Sequence, residues 1–168
     1  MQETSAQYTQ RMYGYLAGGD PVKLQAAAPA KLAKLLKGVS SSKARNRPAP
    51  GKWSIAEIVA HLADTELAMG WRVRMVVSQP GEPIQPFDQD AWAAAMRYEI
   101  RDLRKSLEQY RSLREANVTL LKSLTPADWK KSAMHPERGK QTVRIIAEMT
   151  AGHDLNHLAQ IERILAKK

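Results

Sequence analysis

The sequence predicts an all-α protein, a four-helix bundle of up-down-down-up topology with a long crossover between its second and third helices. Three observations carry this expectation. Strand signals are nearly missing, with few β-branched alternations and no Asn-Gly or Asp-Gly hairpin, whereas apolar residues recur at helical spacing along most of the 168 residues. Helix starts are marked by capping residues. Pro80, Pro83 and Pro86 follow one another at intervals of three, an extended stretch that cannot be helix and is long for a simple helical hairpin.

Taken in order, a helix over about 5–16 stops at Gly18-Gly19, and Asp20-Pro21 restarts it as N-cap and first-turn proline. Pro29 again suits a first turn, leading to Lys37 before Gly38. Residues 40–52, with Ser40-Ser41-Ser42 and Pro48-Ala49-Pro50-Gly51, read as loop. Ser54 and Glu57 form a capping box, each side chain taking a backbone N–H of the other, so a helix begins at Ile55 and runs to about Ser78. A long third helix is expected from Asp90 to Leu124. Thr125-Pro126-Ala127-Asp128 then caps a short turn holding Trp129, residues 132–141 read as loop, and the last helix spans about Thr142 to Ala166. With no internal repeat, residues 1–168 form one expected domain.

Composition narrows the chemistry. A chain of this length buries enough surface to need no disulfide or structural metal. The absence of cysteine excludes zinc fingers, iron–sulfur clusters and cysteine nucleophiles. The formal charge of +9 is concentrated: between Asp20 and Glu57 there is no acidic residue, while Lys23, Lys31, Lys34, Lys37, Lys43, Arg45, Arg47 and Lys52 are all basic. Such a segment attracts anions, but Pro21 to Lys52 holds no aromatic side chain on which a base would stack, which disfavours nucleic acid as the partner. The first twenty residues lack an apolar run behind a basic start and no stretch approaches a membrane span, so the expected location is cytoplasmic.

The histidines carry the functional signal. His153 and His157 form an HxxxH pair, one turn apart, able to present two imidazoles to one ion. At 100° per residue, Ile146, Thr150, His153, His157, Ile161 and Ile164 fall within an arc of about 80°, which points both histidines inward. His61 flanks the apolar row Ile58, Leu62, Met69 and Val73. It lies about 10 Å from the start of its helix and His157 about 13 Å from the end of the last, heights that coincide when the two helices run antiparallel, as up-down-down-up requires. Three neutral imidazoles suit Zn²⁺ or Ni²⁺ and leave a coordination position open.

Gly51-Lys52-Trp53-Ser54 through His61 to Glu66, Pro86-Phe87-Asp88 with Trp92, His135-Pro136 with Gly139, and His153-Asp154-Leu155-Asn156-His157 through Ile161 together resemble the DinB/YfiT-like superfamily. The resemblance covers roughly residues 15–165. It implies a metal-binding four-helix bundle whose three histidine ligands fall on His61, His153 and His157, and relatives that are thiol-dependent transferases or isomerases using low-molecular-weight thiols. The expected function is therefore a metal-dependent transferase or hydrolase acting on a small molecule, with any thiol supplied from outside. Asp64, three residues after His61, is the candidate general base or the acceptor of a ligand imidazole N–H. His135 is a candidate for the pocket rim. Gln160, one turn past His157, is a candidate substrate contact. A non-catalytic metal-binding module is the alternative and a DNA-associated protein a further one, and a homodimer is compatible with such a bundle.

Overall fold

In the computed structural model, which describes residues 3–166, the chain is mostly helical. The helices are α1 (Ser5–Leu16), α2 (Pro21–Leu36), α3 (Ser41–Arg45), α4 (Ile55–Ser78), α5 (Gln89–Ala95), α6 (Leu103–Ser123) and α7 (Val143–Ala166), with a two-stranded hairpin, β1 (Ser132–His135) and β2 (Gly139–Thr142), before the last. Each start has a local cause. The Thr4 hydroxyl and the Gln7 side chain form a capping box on α1. Asp20 accepts from Lys23 N at 2.8 Å to open α2, Ser54 and Glu57 form the capping box of α4, and Asp102 accepts from Lys105 N at 2.9 Å to open α6.

Helices α2, α4, α6 and α7 make the bundle, and its core has two apolar ends. At one end Leu32, Leu36, Ile55, Ile58, Leu62, Tyr110, Leu158 and Ile161 pack together; at the other, Val73, Val76, Leu121, Val143, Ile146 and Ala147 do. These pairings run α4 and α6 one way and α7 the other, with α2 parallel to α7, because Gln25 of α2 donates to Ala147 O at 2.9 Å while Leu32 and Leu36 reach Leu158 and Ile161. Helix α1 lies outside this set, against α7. Among the described residues no helix is long and apolar enough to cross a membrane.

Between the apolar ends lies a polar layer. Arg114, fully buried, donates from Nε and Nη2 to Glu66 at 2.7 and 2.9 Å and pairs through both terminal nitrogens with Asp154, whose Oδ1 also takes the Tyr110 hydroxyl at 3.0 Å. Pro29 belongs here. The sequence placed it in a first turn, but it lies inside α2, where its missing N–H leaves the Gln25 carbonyl without its helical donor; Arg114 Nη1 lies 3.4 Å from that oxygen and takes the role.

Three further expectations are corrected. The single helix over 90–124 is broken: α5 ends at Met96, Arg97 turns left-handed at φ 52°, and a short turn of 3₁₀ helix over Tyr98–Ile100 precedes a fresh start at Asp102. The stretch 132–141, read as loop, is the hairpin, with Ala133 opposite Gln141 and His135 opposite Gly139. Residues 40–52 contain the short helix α3. The proline run after α4 is tied along β1, Gly81 N donating to Ser132 O and Ile84 N to Met134 O, both at 2.9 Å. The hairpin and this run together cover one flank of the bundle.

Gly152 sets the distance between α1 and α7. A Cβ built there would stand 2.3 Å from the Met12 carbonyl oxygen, a backbone atom that cannot swing aside. Gly152→Ala is therefore expected to push α1 outward and to lower unfolding stability by about 1–3 kcal/mol, read from the urea midpoint. An unchanged midpoint would show that α1 yields at no cost.

Candidate metal centre

His61 projects from α4 and His153 and His157 from successive turns of α7, all three buried. His61 Nε2 lies 2.9 Å from His153 Nε2, and His157 Nε2 lies 3.1 Å from the same atom. The three rings meet edge to face, with centroids 4.4–5.0 Å apart. Among the described residues this is the one group of three or more His, Cys, Asp or Glu side chains converging closely enough to share an ion.

The donor set fits a divalent cation. Two ligand nitrogens about 2.0–2.1 Å from a tetrahedral ion stand about 3.3 Å apart, close to the observed separations. Burial, above all, lowers the proton affinity of all three rings: His61 and His153 fall well below the ordinary histidine value and His157 to about 4, so the imidazoles are neutral near pH 7. Gln160 Oε1 lies 2.8 Å from His157 Nδ1, which places the ring proton there and leaves a lone pair on Nε2. A proton on His153 Nε2 satisfies one close neighbour but not both, and His153 Nδ1 has no hydrogen-bond partner. Nitrogen lone pairs gathered this closely repel unless a cation lies between them. Behind them lies the polar layer, whose Arg114 is shared by two buried carboxylates, Glu66 and Asp154, and itself adds to the lowering at His153.

Two cavities meet at this cluster. One, of about 320 Å³, is lined by His61, Thr65, Met69 and Arg72 of α4, by Thr150 and His153 of α7, by Tyr8 of α1 and by His135 and Arg138 of the hairpin. The other, of about 620 Å³, reaches His153 and His157 past Trp53, Arg11, Lys52 and Gln160. Part of the acid-free segment thus forms a wall beside the histidines, while its Arg47 is paired with Glu57. The Trp53 ring stands over His61 with centroids 4.9 Å apart, and the Thr65 hydroxyl is 3.4 Å from His61 Nε2.

The other residues singled out from the sequence take distinct places. Asp64 turns away from the triad and binds Arg101 Nη1 through both oxygens, at 2.8 and 2.9 Å. Gln160 reaches the site by orienting His157. His135 is buried on the wall of the smaller cavity. Asp154, next to His153 in the motif, is an interhelical partner of Arg114. Arg72, Arg138, Tyr8 and Thr65 were not foreseen. Thr65 and Arg72, four and eleven residues after His61 on the same helix, were within reach of the same helical arithmetic; Tyr8 and Arg138 arrive from elements whose packing the sequence does not display.

The sequence pattern of the DinB superfamily matches residues 25–161. The chain belongs to that superfamily. Its DinB relatives include a protein of Oceanobacillus iheyensis, 27% identical over 118 residues, which are 70% of this chain and 68% of that one. Another, from Bacillus mycoides, is 28% identical over 137 residues, 79% of this chain and 76% of the other. YfiT of Bacillus subtilis is 25% identical over 137 residues, 81% and 77% of the two chains. All three carry the name "Putative metal-dependent hydrolase". The solved structure of YfiT, described as having "an unusual four-helix bundle topology", superposes with a TM-score of 0.80 over 97% of this chain and 88% of its own, at 21% identity. This DinB chain shares its fold.

Proposed function

We propose that this DinB protein is a metal-dependent hydrolase of a small molecule, with His61, His153 and His157 holding one divalent ion, Zn²⁺ or Ni²⁺. The observation that carries the reading is the convergence of three buried Nε2 atoms on one point beside two cavities. An ion there would supply Lewis-acid chemistry, polarising a substrate carbonyl or phosphoryl oxygen and making water more acidic. The chain's own residues do the remainder. Gln160 fixes the His157 ring and Trp53 shields His61. Asp64, committed to Arg101, acts by holding that guanidinium between α4 and α6 rather than by taking a proton.

A second reading rests on His153 lining both cavities, which leaves room for two reactants. In that case an externally supplied low-molecular-weight thiol enters past Lys52 and Arg11, and the reaction is transfer to sulfur. Elemental analysis of untagged protein, with turnover assays on ester, amide and phosphoester substrates with and without added thiol, separates the possibilities. Hydrolysis by wild type and not by His157→Ala, at one metal per chain, is expected. Turnover that requires thiol selects the second reading, and metal bound without turnover indicates a non-catalytic module.

A further inference from the structure

The smaller cavity contains an arrangement that the metal reading does not use. Arg72 is 7% exposed, yet no carboxylate among the described residues lies within ion-pair distance of it. It donates to Gln85 O at 2.9 Å, contacts Met69 Sδ at 3.7 Å, and lies over the Phe87 ring at 5.3 Å. The other strongly buried guanidinium, Arg114, has two carboxylates. An uncompensated buried charge is costly, and its retention calls for a counter-ion that the described residues do not supply. Arg138 lines the same wall and is likewise in no ion pair among the described residues. The two acidic residues on that cavity do not serve: both Glu3 oxygens are held by Arg11 at 2.8 Å, and Glu137 is exposed.

His135 completes the pattern. Its Nδ1 faces the Glu137 backbone N–H at 3.2 Å and its Nε2 faces Arg138 Nη2 at 2.8 Å, and both neighbours can only donate. A neutral imidazole accepts at one nitrogen and donates at the other, so whichever nitrogen carries the proton, one donor meets another. An oxyanion beside the ring is the species that would accept from the donors left over. We propose that Arg72, Arg138 and His135 form an oxyanion-binding subsite, and that the substrate is a small molecule carrying a carboxylate or phosphate at the end remote from its reacting group.

This rests on the histidine cluster being the reaction centre. The α4 residues on the cavity, His61, Thr65, Met69 and Arg72, form one stripe, and eleven residues separate its ends, about 16 Å of helix. The anion is held at one end and the reacting group is presented at the other. A volume of about 320 Å³ admits a metabolite-sized molecule. Burial first and Arg138 second lower the proton affinity of Arg72 to about 10, the effect that a bound anion relieves.

Trp92, one of four tryptophans, packs on Phe87 of this cavity with centroids 4.5 Å apart, so fluorescence of a variant with the other three replaced by phenylalanine reports on this end. Titrations with succinate and with inorganic phosphate, on metal-stripped and metal-loaded protein, test the subsite. Saturable binding of at least one probe is expected in both forms, weakened tenfold or more by Arg138→Gln, with Arg72→Lys retaining more affinity than Arg72→Met and metal content unchanged throughout. The tighter probe identifies the anion as carboxylate or phosphate. Wild type that saturates with neither probe, or Arg138→Gln and Arg72→Met that bind as wild type does, overturns the subsite. Anion binding by a protein that takes no metal keeps the subsite and sinks the metal reading.

Discussion

Replacing Arg114 by methionine should destabilise the protein by about 3–5 kcal/mol, a large part of the 5–15 kcal/mol that holds a typical domain folded. The reason lies in what remains. Burial opposes the charge of Arg114, but Asp154, Tyr110 and Glu66 outweigh it and hold the guanidinium firmly protonated. Without it, two carboxylates stay in the bundle centre with no cation between them, although burial already raises Asp154 above its ordinary range against the pull of Arg114. Methionine fills much of the volume, so the loss measured is electrostatic rather than a cavity. Adding Glu66→Gln and Asp154→Asn to the methionine variant should recover a substantial part of the stability, because amides are cheaper to bury than unpaired charges. Tyr110→Phe, which deletes one hydrogen bond, should cost only about 0.5–1.5 kcal/mol. Chemical denaturation of the three variants checks the order, and a loss below about 1 kcal/mol for Arg114→Met would show that solvent reaches the layer.

His153→Ala is expected to abolish stoichiometric binding of a divalent ion. His153 is the ring that approaches both others, so its removal deletes one ligand and separates the remaining pair. Gln160→Ala, which leaves all three ligands but frees the His157 ring, should weaken affinity by about 10–100-fold, the usual loss for an outer hydrogen-bond partner. Competition titration with a chromogenic chelator distinguishes the two. The metal-free His153→Ala protein should keep its helical circular dichroism, since the substitution also removes a buried nitrogen that has no partner. Equal metal affinity in wild type and His153→Ala would dismiss the cluster as a binding site.

What could be read from the sequence, and what could not, divides along the range of the interaction. Ser54 with Glu57 and Asp20 with Pro21 act within one turn, and the helices start where those residues say. The inward seam of α7 is also local arithmetic, and His153 and His157 lie on it. The break after α5 left no such mark: Arg97 adopts a left-handed conformation with neither glycine nor proline beside it, and Asp102 looks like any surface acid until the chain is seen to restart there. The hairpin is only four residues a side and takes much of its order from the proline run tied to it. Asp64 shows the same limit at the site. Helical spacing puts it near His61, but Arg101, arriving from the far side of the crossover, decides where its carboxylate goes. Likewise Arg114 meets Glu66 and Asp154 from three different helices, a convergence no local pattern announces.

The seat of α1 on Gly152 bears on the order of events during synthesis. Met12 meets a glycine 140 residues further along the chain, and Tyr8 of the same helix lines both cavities beside His153. During synthesis α1 is made before the surface it docks on, because α7 follows it by more than a hundred residues. Such non-local pairing is slow to form. The wall of the cavity is therefore made well before its seat on α7 and reaches its place only after that helix has formed.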